Sequence, residues 1–172
     1  FVLWGANMAE MHPILFSRVT DRKLSTPGAK LFNLTTYDNR SSSIANDVLI
    51  FNPQSDLAIA NFIAHYIIQT NAVDKKFVKN SCNFTLGPAD IGYGLRESHP
   101  LEKGQKNRGK AGKGEMVDFN AYKKFVSEYS VEKASEISGV SKEQLIALAK
   151  EYADPKRKVT SFWTMGMNQH TR

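Results

Sequence analysis

The 172-residue sequence predicts an α/β fold, a Rossmann-like parallel sheet flanked by helices. Three observations carry that expectation. Short apolar runs alternate with stretches of helical spacing. The runs are apolar at consecutive positions, as in strands covered on both faces. Turn clusters of Ser, Thr, Pro, Gly and Asn punctuate the changes, and no internal repeat is visible.

Taken in order, Phe1-Val2-Leu3-Trp4 reads as a buried strand that halts at Gly5. Helical spacing follows through Met8, Met11, Leu15 and Val19. Pro13 interrupts it, so the helix is expected to start near His12–Pro13 and run to Leu24, where proline suits the first turn. Ser25 to Gly28 form a turn, and Lys30 to Leu34 a second strand. Ser41 to Ser43 precede a short helical stretch around Ile44 and Ala45. Val48 to Phe51 form a third strand, broken at Asn52–Pro53. Leu57, Ala60, Ile63, Ala64, Ile67 and Ile68 then mark a helix capped by Ser55 or Asp56. A shorter helix is expected through Phe77 and Val78. Phe84 to Gly114 lacks periodicity and reads as a long loop. Helical spacing resumes from Phe119 to Tyr129. Ser141 and Gln144 form a capping-box signature ahead of a helix through Tyr152, which ends at Asp154–Pro155. Val159 to Trp163 is the last strand, followed by Thr164, Met165 and Gly166.

The composition is that of an ordinary soluble globular protein, with 41% hydrophobic and 23% charged residues. No run is long and apolar enough to span a membrane, so no membrane insertion is expected. The net charge is +6, part of it concentrated from Leu101 to Glu115, where Lys103, Lys106, Arg108, Lys110 and Lys113 outnumber Glu102 and Glu115. That stretch lacks the interleaved aromatics of a nucleic-acid surface, and no nucleic-acid partner is expected. Cys82 is alone, so the chain holds no internal disulfide, and no zinc or iron–sulfur site by cysteine alone. His12, His65, His99 and His170 show no metal-ligand spacing, and no metal ligand is expected here. The chain opens inside an apparent strand and stops just after another, and it reads as an internal piece of a longer protein.

Ligands of open α/β sheets bind beyond the carboxyl ends of the strands. Four such tips follow: Gly5 to Met11, Thr35 to Arg40, Gln54 to Asp56, and Met165 with Gln169. Gly5 lets backbone approach a ligand closely, and a helix start offers N–H groups to phosphate. Asn7 offers a donor and an acceptor. Asp38 stands where dinucleotide folds place a ribose or base contact. Asp56 suits the paired N1–H and amino group of guanine. Each residue also has a plainer use. Gly5 and Asn7 suit a turn; Asp38, Asn39 and Ser41 suit a cap; Asp56 suits a helix dipole. Met8, Met11, Met165 and Met167 suit core packing. Neither a G-x-G-x-x-G motif nor a P-loop is present, which disfavours a plain NAD enzyme or NTPase.

These tips carry a resemblance. FVLWGANMAEMHP (Phe1 to Pro13), SFWTMGMNQHTR (Ser161 to Arg172) and ADIGYGLR (Ala89 to Arg96) with the following HPLEK resemble the catalytic subunits of periplasmic nitrate reductases, within the molybdopterin oxidoreductases. Asp38-Asn39-Arg40 and Pro53-Gln54-Ser55-Asp56 match segments of the wider superfamily. Asn39 departs from its usual proline and Ser55 from its frequent threonine, and Gly104 to Glu115 is the least family-like stretch. The resemblance implies a Mo-bis(molybdopterin guanine dinucleotide) cofactor. It places contacts at Trp4, Gly5, Ala6, Asn7, Met8, Ala9, Glu10, Met11, Thr35, Thr36, Tyr37, Asp38, Asn39, Gln54, Ser55, Asp56, Met165 and Gln169, with Met165 along the substrate path. It further implies reduction of nitrate to nitrite, a [4Fe-4S] cluster whose cysteine ligands lie outside this chain, a dihaem cytochrome c as electron donor, and the periplasm. The division that follows is an α/β cofactor-binding segment (residues 1–83), a Gly/Lys-rich excursion (84–117) and a return to the sheet (118–172). The rival readings are an assimilatory nitrate reductase or formate dehydrogenase of the same superfamily, a non-enzymatic nucleotide-binding module, and a basic adaptor for an acidic partner.

Overall fold

A computed structural model describes residues 1–87, 96, 98–102 and 115–168. Four parallel strands, β1 (Val2–Trp4), β2 (Phe32–Thr35), β3 (Asp47–Ile50) and β6 (Ser161–Trp163), form a sheet in the order β3-β2-β1-β6. Trp4 pairs with Leu34 on one side and with Trp163 on the other. The α/β class with a parallel sheet between helices therefore stands. The chain divides into two compact units, Phe1–Val73 with Val126–His170, and a second whose main part is Asp74–Phe125.

In the first unit the two central strands, β1 and β2, are covered on both faces and buried at every position, while β3 and β6 carry exposed residues. Val2, Trp4, Phe32, Leu34, Leu49 and Phe51 face helices α3 (Asp56–Gln69), α6 (Val131–Ser138) and α7 (Lys142–Ala153). Ile59, Phe62, Leu145 and Leu148 complete that core. The other face is smaller. Leu3 and Leu31 pack with Ala6, Met8 and Val19 from α1 (Met8–Met11) and α2 (Pro13–Ser25). Ile14, Leu24 and Met11 of these helices stay largely exposed.

Several local expectations need correction. Helix is not confined to the chain after His12: a separate single turn, α1, precedes it, and His12 with Pro13 marks the break. The short helical stretch is a 3-10 helix over Arg40–Ile44, earlier than Ile44–Ala45, because Asn39 caps it through its side chain. The α6 helix lies where none was expected. Its signals were present: Ser130 accepts from the Lys133 N–H, and Gly139 (φ +74°) closes it in the left-handed conformation that glycine adopts without a Cβ penalty. The strands are shorter than their apolar runs, β6 omitting Val159 and Thr160.

The second unit contains α4 (Lys75–Ser81), a 3-10 turn at Pro100–Glu102 and most of α5 (Phe119–Val126). The stretch read as a loop from Phe84 begins instead as strand β4 (Phe84–Leu86), antiparallel to β5 (Glu115–Val117). The Phe84 ring lies 4.8 Å from Tyr122 and 5.5 Å from Phe119, centroid to centroid. Gln169, His170, Lys103 to Lys113 and most of Ala89 to Arg96 lie outside the described residues. Among the described residues, no helix is long and apolar enough to cross a membrane.

Leu34 is fully buried in the larger core, whereas Ile14 is 74% exposed. Leu34→Ala should therefore cost about 2–5 kcal/mol in urea unfolding. Ile14→Ala should stay within about 0.5 kcal/mol. Equal effects would contradict this placement of the core.

Candidate functional site

At the carboxyl edge of the sheet the strand tips converge on a cavity of about 290 Å³. Gly5 and Asn7 contribute from β1, Thr35, Thr36, Tyr37 and Asn39 from β2, Phe51, Pro53 and Gln54 from β3, and Gly166 from β6. Among the described residues that line it, only Tyr37 carries an ionisable side chain. The described wall offers hydroxyls, amides and backbone, a set suited to binding and orienting a polar ligand.

Two glycines make the junction between β1 and β6. Gly5 has φ +57°, a left-handed turn. A Cβ on Gly166 would lie 2.5 Å from the Gly5 carbonyl oxygen, closer than real Cβ atoms approach. The tips meet backbone to backbone only because position 166 has no side chain.

Ser41 joins the β1 and β2 tips. It is fully buried, and its Oγ accepts from the Ala9 N–H at 3.0 Å while donating to Asn7 Oδ1 at 3.0 Å. A hydroxyl has one proton, so these two bonds orient the Asn7 amide. Its Nδ2 then donates to Glu10 Oε2 at 3.0 Å. Glu10 also meets Arg40 at 3.6 Å on the surface. On the β2 tip, Asn39 Nδ2 donates to Thr35 Oγ1 at 3.0 Å, and Thr35 Oγ1 donates to the Tyr37 carbonyl at 2.9 Å. Asn39 Oδ1 meanwhile accepts from the Ser41 N–H at 2.9 Å. Beneath them, buried Asn33 donates to Ser42 Oγ at 3.0 Å.

The β3 tip ends in a helix start left open. Gln54 has φ +67°, which is strained for a residue with a Cβ. Ser55, the N-cap of α3, does not cap it; its hydroxyl donates to the Asn52 carbonyl at 2.6 Å. The first-turn N–H groups of α3 therefore have no side-chain acceptor from the cap, an arrangement suited to an anion. Asp56, half-buried, is the first helical residue.

Of the residues singled out in the sequence, Gly5, Asn7, Thr35, Thr36, Tyr37, Asn39 and Gln54 line one cavity. Others sit differently. Trp4 points into the core, and its indole N–H donates to Tyr152 Oη at 3.0 Å. Ala6 and Met8 are core residues, and Ser55 is buried. Ala9 meets Ser41 through its backbone, while Glu10, Met11 and Asp38 are exposed. Met165 is exposed at the start of α8 (Met165–Asn168), next to the lining Gly166. Gln169 lies outside the described residues. Phe51, Pro53, Gly166 and the linking Ser41 were not foreseen as site residues. A lone glycine and a serine within a serine run carry no motif, and only the parallel register reveals their neighbours. Among the described residues, no group of three His, Cys, Asp or Glu side chains is arranged to hold a metal ion.

A cleft at the carboxyl edge of a parallel α/β sheet is where open sheets of this class bind their ligands. The sequence matches the molybdopterin oxidoreductase family over residues 1–172, and the chain belongs to that family. Membership in that family implies a molybdenum–pterin cofactor. The fold is similar to that of acetylene hydratase from Pelobacter acetylenicus, with a TM-score of 0.65 and 20% identity over 96% of this chain. This chain spans 18% of that protein's length.

Ser41→Ala should strand the Ala9 N–H and Asn7 Oδ1 and cost about 1–3 kcal/mol in urea unfolding. A change below about 0.5 kcal/mol would show that the two tips hold without the hydroxyl.

Proposed function

We propose that this chain is part of the catalytic subunit of a periplasmic nitrate reductase. In this reading its strand-tip edge holds a guanine dinucleotide arm of a Mo-bis(molybdopterin guanine dinucleotide) cofactor. The observation that carries the proposal is the convergence of Gly5, Asn7, Thr35 to Tyr37, Asn39 and Gln54 on one cavity beside an uncapped helix start. The nitrate branch rests on the resemblance of the opening and closing sequence blocks.

The residues fit such a group. The wall is neutral and rich in hydrogen-bonding groups, and the open N-terminus of α3 suits a diphosphate. The turn at Gly5, with no Cβ, allows close approach of backbone. Asn7, its amide oriented by Ser41 and Glu10, presents a fixed polar group instead of a rotating one. Asp56 is assigned to the guanine edge, where a carboxylate accepts from two adjacent donors. Met165 is assigned to the substrate path, with Gln169 as a further cofactor contact. When bound, the molybdenum centre supplies two-electron oxygen-atom transfer from nitrate, leaving nitrite. The chain's own residues bind, orient and exclude water. The partners in this reading are nitrate and a dihaem cytochrome c, with a [4Fe-4S] cluster held elsewhere in the protein and the periplasm as compartment.

Asp56→Ala in the full-length enzyme should lower molybdenum and guanine nucleotide content severalfold while the far-ultraviolet circular dichroism stays native. Normal loading would remove Asp56 from the site. The isolated 172-residue chain should show neither nitrate reduction nor iron–sulfur absorbance, and either signal would overturn the division of labour proposed.

A further inference from the structure

A polar side chain interrupts the apolar interior of the central strands. Asn33 lies within β2, between Phe32 and Leu34, and is fully buried. Its strand partners are Leu3 on β1 and Val48 on β3. Side chains alternate along a strand, so Asn33 shares its face with Leu31 and Thr35. An amide in such a place loses its water and needs hydrogen bonds in return. The nitrogen finds them. Asn33 Nδ2 donates to Ser42 Oγ at 3.0 Å and, more weakly, to Asn39 Oδ1 at 3.5 Å. The oxygen, Asn33 Oδ1, is buried without a partner among the described residues.

The orientation of this amide follows from a backbone group. The Ser41 N–H can only donate, and it meets the Asn39 side chain at 2.9 Å, so the Asn39 atom there is Oδ1. Asn39 Nδ2 then faces Thr35 Oγ1 at 3.0 Å and the Tyr37 carbonyl at 3.4 Å. The end of Asn33 that approaches Asn39 Oδ1 must therefore be its nitrogen, since an oxygen there would face an oxygen. Turning Asn33 over to partner its own oxygen is opposed by that same contact. Ser42 Oγ receives the Asn39 N–H at 3.4 Å as well. Ser42 stands in the 3-10 helix beside Ser41, whose hydroxyl binds Ala9 and Asn7. One buried amide thus ties β2 to the turn that carries both the β2 tip and its link to β1.

We infer that Asn33 is a positioning residue for the cofactor-binding edge, acting through Ser42 and Asn39 and touching no ligand itself. This role rests on the proposal that the edge holds a guanine dinucleotide arm. A leucine has the same branched outline as asparagine. It would pack beside Leu3 and Val48 and leave no orphaned acceptor. For packing alone, the apolar residue is therefore the better choice. A buried amide that breaks the local pattern at a cost, directly beneath a site, is the mark of a functional constraint. Here it holds the Asn39 amide and the Thr35–Tyr37 turn in place before a ligand arrives, so less ordering is left for binding to supply. Both Asn33 and Ser41 are enclosed within this chain, so these contacts do not depend on an open surface.

The test compares the full-length enzyme with its Asn33→Leu, Ser42→Ala and double variants. Two quantities are read: the rate at which molybdenum and guanine nucleotide leave the loaded protein, and the urea midpoint of the cofactor-free form. Asn33→Leu should speed release about three- to tenfold, the scale of one hydrogen bond. Its midpoint should stay at or above that of the parent, which a merely structural role would lower. The double variant should release no faster than the faster single one, because both changes remove the same contact. Unchanged release in Asn33→Leu, faster release with a lowered midpoint, or additive effects in the double variant would each overturn the inference. If Asn33→Leu does not fold, Ser42→Ala is read alone. Faster release at an unchanged midpoint then supports the inference, and any other result contradicts it. Amide exchange separates this role from the reading beneath it. Tips protected by the cofactor, with release unchanged in Asn33→Leu, sink only the role of Asn33. Tips that the cofactor leaves unprotected sink the reading of the edge, and this role with it.

Discussion

Parallel, in-register pairing of β1 with β2 on one side and β6 on the other is the constraint on which the rest of the structure depends. It sets Trp4 beside both Leu34 and Trp163, so segments more than a hundred residues apart finish at the same level. The strands then have to turn away together into their helices, and each turn delivers its residues to one edge. Gly166 sits against the Gly5 carbonyl because the register leaves no room for a side chain there. The same pairing buries β1 on both faces, with Val2 and Trp4 toward α3, α6 and α7 and Leu3 toward α1 and α2.

The two edges of the sheet differ because the helices run opposite to the strands. Helix starts collect at the carboxyl edge and helix ends at the other. At the carboxyl edge the lining is neutral and amide-rich, and α3 begins without a side-chain cap. At the amino edge, Glu151 pairs with Lys30 and Arg157. A diphosphate-bearing ligand is suited to the first edge through backbone N–H groups and fixed dipoles, without long charged side chains.

Much of this was legible in the sequence, for physical reasons. Consecutive apolar residues that stop at Gly5, and others that stop at Asn52 with Pro53, suit the strands of a parallel sheet; β1 is covered on both faces, whereas Ile50 of β3 is exposed. The parallel sheet in turn directs attention to the residues just past each strand. What the sequence withheld was orientation and long-range contact. Trp4 ends a strand, yet its face places the indole under Tyr152 and away from the cavity. Ser41 looks like one serine of three, and its role appears only once β1 and β2 are adjacent. The β4–β5 pair was missed because its strands are three residues each and lie more than twenty-five residues apart, beyond any local pattern. Helix α6 was missed because its cap and its glycine stop enclose only eight residues with few large apolar side chains.

The most direct test of the central claim is hydrogen–deuterium exchange on the full-length protein, with and without its molybdenum–pterin cofactor. Slower exchange in the cofactor-loaded protein across Gly5 to Met11, Thr35 to Asn39 and Gln54 to Asp56, with β4 and β5 unchanged, is the expected result. Equal exchange at all three tips in the loaded and empty forms would contradict the assignment of this edge to the cofactor.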